Sequence, residues 1–230
     1  MTSDDFKNGQ ILLIDKPLHW TSFQVVNKLR WSIRKAFNIK KIKVGHAGTL
    51  DPLATGLLVI CTGKMTKQIS TFQDQIKAYS GTLVLGSTTP SYDLETEIDQ
   101  NYPTDHLSEE KIKKATEKFI GEIEQYPPIF SAIKKEGKRL YEFARAGEAV
   151  EIKSRRIRID AFEITKIDGL NVNFEVICSK GTYIRSLAHD FGKALNTGAH
   201  LSMLRRTKIG DFDIKNAITI EKFIADLPSE

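Results

Sequence analysis

The sequence predicts an α+β fold. Apolar and polar residues alternate through 155–165 and 170–178, on either side of Asp168 and Gly169, a pattern typical of two half-buried strands joined by a turn. Through residues 25–37 the apolar side chains recur at helical intervals instead. Strands in hairpins with interspersed helices favour this class over a regular succession of βαβ units.

The remaining elements follow from capping residues, turn residues and short apolar runs. In the first half of the chain, the predicted elements are a strand at 10–15, a helix capped by Thr21 and Gln24, a strand at 78–86 and a polar loop at 88–101. A helix begun by Ser108 follows; its apolar stripe reaches Ile123, and Pro127 ends it. The remaining elements are a short helix around 140–144, a helix beginning near Arg185, a connection at 198–208, a last strand at 209–214 and a helix at 219–227.

Composition and charge limit the kinds of function. The 230 residues carry a net charge of +5, and the cationic excess is concentrated at 28–43, 155–158 and 205–208. One such cluster is readily explained as a solvated surface, whereas three together favour a polyanionic partner with a phosphate backbone. Cys61 and Cys178 lie in apolar segments and are interpreted as reduced core residues. The sequence shows neither a targeting peptide nor a membrane-spanning apolar run, which predicts a cytoplasmic protein without membrane contact.

The stretch 45–63 places one carboxylate, Asp51, among small and apolar residues. Glycines in this stretch permit sharp turns and close approach to a ligand, and Pro52 biases Asp51 towards an extended conformation. Taken alone, the Asp-Pro step favours a helix N-cap, with Pro52 at the first helical position. However, residues 16–50 carry eight Lys or Arg and no acid. This context favours the second interpretation, in which Asp51 is a lone anion facing a cationic surface.

Several longer motifs resemble the TruB family of tRNA pseudouridine synthases. They are Gly-His-Ala-Gly-Thr-Leu-Asp-Pro-Leu-Ala-Thr-Gly-Leu-Leu at 45–58, Lys-Ala-Tyr at 77–79, Ser-Ala-Ile-Lys-Lys-Glu-Gly-Lys-Arg-Leu-Tyr-Glu-Phe-Ala-Arg-Ala-Gly at 131–147 and Cys-Ser-Lys-Gly-Thr-Tyr-Ile-Arg-Ser-Leu at 178–187, together with 15–17 and 204–206. The motifs stand in the family's order, so the resemblance extends from about residue 10 to about residue 210.

The resemblance implies a pseudouridine-synthase-like mixed, mainly antiparallel sheet flanked by helices and loops. It implies one catalytic domain over 1–230, with an RNA-clamping insertion at about 125–150 and a short C-terminal segment at about 211–230. Many family members continue into a C-terminal PUA domain; this sequence departs from that pattern, and no PUA domain is expected here. The implied reaction flips the uridine at position 55 of the tRNA T-arm out of its stack and isomerises it to pseudouridine. It has no redox step, so no cofactor or metal is expected. The expected partner is the tRNA T-arm stem-loop, bound by a monomer without an obligate protein partner.

The matched motifs also imply roles for individual residues. Asp51 matches the catalytic aspartate, Arg185 the arginine that pairs with it, and Tyr79 the aromatic residue that stacks on the flipped base. His46 matches the histidine that meets the RNA where the base leaves its stack. The remaining residues expected to line the uracil pocket or contact RNA are Tyr183, Leu204, Lys16 and Lys77.

Each role has an ordinary structural alternative: a surface helix cation for Arg185, a strand aromatic for Tyr79 and a turn residue for His46. Within 87–93, where the family often carries an acidic, Thr-rich segment, only Asp93 clearly matches. Two other functions stay open, an RNA-guided pseudouridine synthase acting on other RNA and a non-catalytic tRNA-binding or tRNA-folding module. The absence of long basic tails argues against the first, and the catalytic residue types argue against the second.

Overall fold

The computed structural model describes residues 1–135 and 137–228. The helices are α1 (Ser3–Asn8), α2 (Ser22–Ala36), α3 (Ile69–Gln73), α4 (Glu109–Ala115), α5 (Leu140–Ala146), α6 (Ile184–Ala194) and α7 (Ile220–Ala225). The strands are β1 (Ile11–Lys16), β2 (Val44–His46), β3 (Ala54–Thr62), β4 (Lys77–Leu85), β5 (Ser87–Thr88), β6 (Gln100–Asn101), β7 (Gly121–Gln125), β8 (Lys134–Lys135), β9 (Lys138–Arg139), β10 (Arg155–Asp168), β11 (Asn171–Cys178), β12 (Ala199–Ile209) and β13 (Phe212–Asp213).

The chain divides into two compact units, Met1–Tyr79 with Leu204–Glu230 and Ser80–Met203. In the first unit, β1 and β2 pair antiparallel with β3, β12 pairs parallel with β3, and β13 pairs antiparallel with β12. In the second unit the strand order is β12, β4, β11, β10, β7, and β10 pairs antiparallel with both β11 and β7. The predicted α+β fold with a mixed, mainly antiparallel sheet is confirmed.

Helix α2 begins where the sequence predicts. The Thr21 hydroxyl accepts the Gln24 N–H at 3.1 Å, and the Gln24 side chain accepts the Thr21 N–H at 2.7 Å, which completes the capping box. The buried face of the helix includes Val25, Leu29 and Ile33, which pack in one core of the first unit. One side of α2 is therefore fixed in the core, and its other side is left to solvent.

The chain after Asp51 forms a strand, so the N-cap interpretation of Asp51 is wrong. Residues 57–61 are all fully buried on β3. Leu58 packs in the core beneath α2, while Leu57 packs in a separate cluster with Ile209. Because both faces of β3 are covered, its sequence is a continuous apolar run that also fits a helix.

Two other sequence predictions are wrong in part. The helix begun by Ser108 ends at Ala115, and a 3₁₀ turn at Thr116–Phe119 follows, so Ile123 lies in β7 and pairs with Ile157. Gly121 breaks the helical course with a φ of +95°. The stretch 198–208, interpreted as a connection, contains most of β12. Its pairing with a strand about 150 residues earlier in the chain leaves no local signal.

The hairpin of β10 and β11 forms as predicted, closing between Asp168 and Asn171. In the predicted insertion, α5 forms where the sequence favours a short helix, and its Leu140 and Phe143 are buried. Glu136 of that insertion and residues 229–230 of the C-terminal segment lie outside the described residues. Cys61 and Cys178 are both buried and are not disulfide-bonded, as predicted. Within the described chain, no helix has the length and apolar character to cross a membrane.

Candidate active site

Asp51 lies partly buried on a corner of the first unit, between β2 and β3. The neighbouring Leu50 is held on both sides of its backbone by the buried Ser22 side chain, which accepts the Leu50 N–H at 2.8 Å and donates to the Leu50 carbonyl at 3.1 Å. After the corner, the Ala54 N–H donates to the Asp51 carbonyl at 3.0 Å. The start of α2 therefore fixes the position of the carboxylate.

Arg206 of β12, which is 1% exposed, holds the same corner from inside. Its Nε donates to the Leu57 carbonyl at 2.8 Å, and its Nη2 donates to the Gly48 carbonyl at 3.0 Å. At Gly56, where φ is +103°, an added Cβ would lie 2.3 Å from the Arg206 carbonyl oxygen. Only glycine fits this approach. Arg206 has no predicted role, and its place in the matched motif at 204–206 is the one sequence signal that points to it.

Lys16 at the end of β1 lies in the electrostatic field of Asp51 and is fully buried. Its ammonium group donates to the carbonyls of Pro17 at 2.9 Å and Trp20 at 2.6 Å. The pKa of Lys16 is lowered to about 8, mainly by burial; the Asp51 carboxylate opposes this shift, and the positive charge of Arg206 contributes to it. The structure thus brings one carboxylate and two buried cations together. The expected RNA contact of Lys16 stays a prediction.

His46 ends β2, five residues before Asp51. Burial lowers the pKa of its imidazole, the charge of Arg206 acts in the same direction, and a backbone hydrogen bond with Gly48 opposes both. The ring is therefore mainly neutral at pH 7. Its Nδ1 is buried and has no hydrogen-bond partner among the described residues. A neutral imidazole offers one donor and one acceptor. The RNA contact of His46 stays a prediction.

Tyr79 and Lys77 lie on the same face of β4, and both are largely buried. The Lys77 ammonium donates to the carbonyls of Gln73 and Gln75 at the end of α3. Leu204, on β12, is 8% exposed and pairs in parallel register with Ala54. The predicted roles of these residues in base stacking, RNA contact and the uracil pocket stay predictions.

Arg185 lies in the first turn of α6 and is 4% exposed, so the alternative of a surface helix cation is wrong. Its Nε lies 3.6 Å from the Asp93 carboxylate, and its two other nitrogens donate to the carbonyls of Ser91 at 3.2 Å and Phe130 at 2.9 Å. These three partners belong to the second unit, and the predicted pairing with Asp51 stays a prediction. Asp93 has no predicted role, and its match to the family's acidic segment is the sequence signal that points to it.

Tyr183 directly precedes α6 and is fixed at its backbone and its ring. The buried Gln125 side chain accepts the Tyr183 N–H at 2.8 Å and donates to the Tyr183 carbonyl at 3.0 Å. The Arg155 guanidinium lies 4.5 Å from the centroid of the ring. Two hydrogen bonds and a cation–π contact thus set the position of this tyrosine, and its expected place in the uracil pocket stays a prediction.

Comparisons with known proteins agree with the sequence motifs. A family model described as "TruB family pseudouridylate synthase (N terminal domain)" matches residues 34–184, and one described as "tRNA pseudouridylate synthase B C-terminal domain" matches residues 185–227. The chain is 64% identical over 224 residues to a "tRNA pseudouridine synthase B" of Flavobacterium johnsoniae, covering 97% of this chain and 98% of the relative. It is 55% identical over 219 residues to the protein of the same name from Phocaeicola vulgatus, covering 95% and 93% of the two chains.

Among solved structures, a chain in the crystal structure of a Cbf5-Nop10-Gar1 complex is similar, with a TM-score of 0.72 and 32% identity over 96% of this chain. A structure of an H/ACA RNP bound to a substrate RNA containing 2'-deoxyuridine gives a TM-score of 0.69 at 29% identity. The present chain spans about half the length of each of these chains, 54% and 53%. The family models cover the corner of Asp51, Tyr183, Arg185 and the whole of β12. The chain belongs to the TruB family of pseudouridylate synthases.

Proposed function

We propose that this chain is a tRNA pseudouridine synthase that isomerises the uridine at position 55 of the T-arm. The observation that carries the proposal is Asp51, a carboxylate fixed on a tight corner by Ser22 and Arg206 and accompanied by the buried ammonium of Lys16. Its setting in a TruB-family chain, with relatives named tRNA pseudouridine synthase B, supports the assignment of the isomerisation to that carboxylate.

The chemistry requires an ionised carboxylate. The reaction breaks the bond from C1′ to N1 and joins C1′ to C5, so substrate and product have the same composition and oxidation state. Asp51 acts either as the nucleophile at C1′ or C6 or as the base that removes the C2′ proton, and each route needs the anion. Neighbouring positive charge favours the ionised form of Asp51. We propose that Lys16 and Arg206 supply this charge, together with Arg185, which pairs with Asp51.

The uridine has to leave its stack to reach Asp51, at a cost of a few kcal/mol. In the proposal Tyr79 supplies a stacking face, which is worth ~1–3 kcal/mol, and Tyr183 and Leu204 line the pocket. His46 meets the RNA where the base leaves, while Lys77 and the segment at about 125–150 hold the T-arm. We propose that the enzyme acts as a cytoplasmic monomer on tRNA without an obligate protein partner.

The pH dependence of the rate tests the charge beside Asp51. Because burial brings the pKa of Lys16 down from 10.5 to about 8, its ammonium is charged below about pH 8 and neutral above it. The wild-type rate is expected to fall as the pH rises through about 8, since the carboxylate then loses a stabilising cation. Lys16→Met is expected to be slower at pH 7 by about tenfold, equivalent to about 1.4 kcal/mol, and to lack this falling limb.

Single-turnover rates from pH 6 to 9 measure this effect. The control is Lys64→Met, which removes an exposed lysine of the same unit whose ammonium bonds Asn8. This variant is expected to keep the wild-type profile. A falling limb near pH 8 that persists in Lys16→Met would show that another group titrates there.

The function itself is tested with purified protein and an unmodified tRNA transcript in EDTA, without added cofactor. The proposal expects stoichiometric pseudouridine at the T-loop uridine, in the whole tRNA and in its isolated T-arm hairpin. A transcript with cytidine at that position is the control and is expected to give no product. Product only in the presence of a second RNA would indicate the guided reaction, and tight binding without product would indicate the RNA-folding module.

A further inference from the structure

The side of α2 that faces solvent carries aromatic and cationic residues together. Trp31 is 54% exposed and Phe23 is 64% exposed, although both are residue types usually withdrawn from water. The Lys28 ammonium lies 5.3 Å from the centroid of the Trp31 ring, and the Lys35 ammonium lies 5.7 Å from it. Residues 23, 27, 31 and 35 are four apart and so share one face of the helix. We call Phe23, Lys28, Trp31, Arg34 and Lys35 the α2 surface.

The charge of this segment is of one sign. Residues 16–50 contain no Asp or Glu, and the connection from α2 to β2 adds Lys40, Lys41 and Lys43, all exposed. An ordinary solvated helix face carries interspersed acids, which would give local ion pairs. The α2 surface is instead suited to bind a polyanion that also carries flat apolar groups, which can stack on the indole ring of Trp31.

The position of the α2 surface connects it with the candidate site. Ser22, which anchors Leu50 beside Asp51, is the residue immediately before Phe23. The surface therefore begins one residue after the side chain that holds the backbone beside Asp51. It extends from there along the helix for the 12 residue steps from Phe23 to Lys35, or about 18 Å at 1.5 Å per residue.

We propose that the α2 surface binds an unpaired strand or loop of the folded tRNA that lies outside the T-arm hairpin. An unpaired base stacks on Trp31, and its flanking phosphates contact Lys28 and Lys35. Base stacking on an exposed aromatic ring and a cationic track for the backbone are the two elements of single-strand recognition. The inference rests on the proposed function, because the T-arm uridine at Asp51 places the rest of the tRNA within reach of α2.

The test compares two substrates, the whole tRNA and the isolated T-arm hairpin, in kinetic and equilibrium binding measurements. Trp31→Ala is expected to raise KM and Kd for the whole tRNA by about tenfold, the lower part of the range for one stacked base. Its kcat, and its KM for the hairpin, are expected to stay within twofold of wild type. Lys28→Ala/Lys35→Ala is expected to weaken tRNA binding and to reduce the slope of log Kd against log salt by about 1.4.

The matched control is Lys113→Ala/Lys114→Ala, which removes two exposed lysines from α4. It is expected to leave both the KM ratio of the two substrates and the salt slope at wild-type values. Thermal unfolding of each variant establishes that the fold is retained.

Three results would overturn the inference. An unchanged tRNA KM in Trp31→Ala excludes the contact, and an equal rise for tRNA and hairpin places it on the T-arm itself. Binding of wild type, but not Trp31→Ala, to phosphatidylserine vesicles with an unchanged tRNA KM would assign the surface to a membrane. If wild-type protein converts neither substrate, the proposed function fails. The ratio of the Kd values for whole tRNA and hairpin then still shows whether the α2 surface binds RNA outside the T-arm.

Discussion

Asp51→Asn is expected to lower the rate of pseudouridine formation by at least about 10³-fold, within the range for loss of a reacting carboxylate. The amide has nearly the same size and shape, so the corner held by Ser22 and Arg206 is kept. It is neutral, however, and can serve neither as nucleophile nor as base. Affinity for tRNA is expected to stay within about threefold, because the carboxylate supplies no attraction for a polyanion.

Single-turnover kinetics and filter binding on the same preparation separate these two effects. Asp226→Asn is the matched control, since Asp226 is a carboxylate of the same unit whose partner is Lys222 on the exposed side of α7. It is expected to be as active as wild type. Retention of more than a tenth of the wild-type rate in Asp51→Asn would remove Asp51 from the chemical step.

Arg185→Met is expected to lower the free energy of unfolding by about 3–5 kcal/mol, the usual cost of removing one partner of a buried ion pair. The substitution leaves the Asp93 carboxylate, whose side chain is 7% exposed, without the guanidinium 3.6 Å away. It also deprives the carbonyls of Ser91 and Phe130 of their donor. Urea unfolding measures the effect directly.

The double variant Asp93→Asn/Arg185→Met distinguishes the buried charge from general loss of packing. It is expected to recover part of the stability lost in Arg185→Met, because the uncompensated anion is gone. It is not expected to recover activity, since the arginine assigned to Asp51 is still missing. A loss in Arg185→Met below about 1 kcal/mol, the value typical of exposed pairs, would show that the buried pair contributes little.

Local patterns were sufficient for the elements whose stabilising contacts are close in sequence. The capping box at Thr21 and Gln24 and the alternation around Asp168 both involve neighbours along the chain, and both predictions are confirmed. Strand β12 has no local signal, because its pairing with β3 joins residues about 150 positions apart. The end of α4 is not evident from the sequence, because a stripe at helical spacing continues through Phe119 into β7.

The same difference between local and long-range contacts applies to the candidate site. The sequence indicated Asp51 as a lone anion in a cationic segment, and the structure places Lys16 in its field. The positions of Arg206 and Asp93 depend on the fold, since each reaches carbonyls or charges from another strand or helix. Both residues lie in segments that match the family, but a motif match does not show which groups they hold in place.

The most direct test of the central claim, that Asp51 of this chain carries the isomerisation of the T-arm uridine, is a nucleotide-resolved map of pseudouridine. A pool of unmodified tRNAs is incubated in parallel with wild type and with Asp51→Asn, without guide RNA. The account predicts one wild-type signal, at position 55 of each tRNA, that is missing with Asp51→Asn. Signals at other uridines, or the same signal from both proteins, would contradict it.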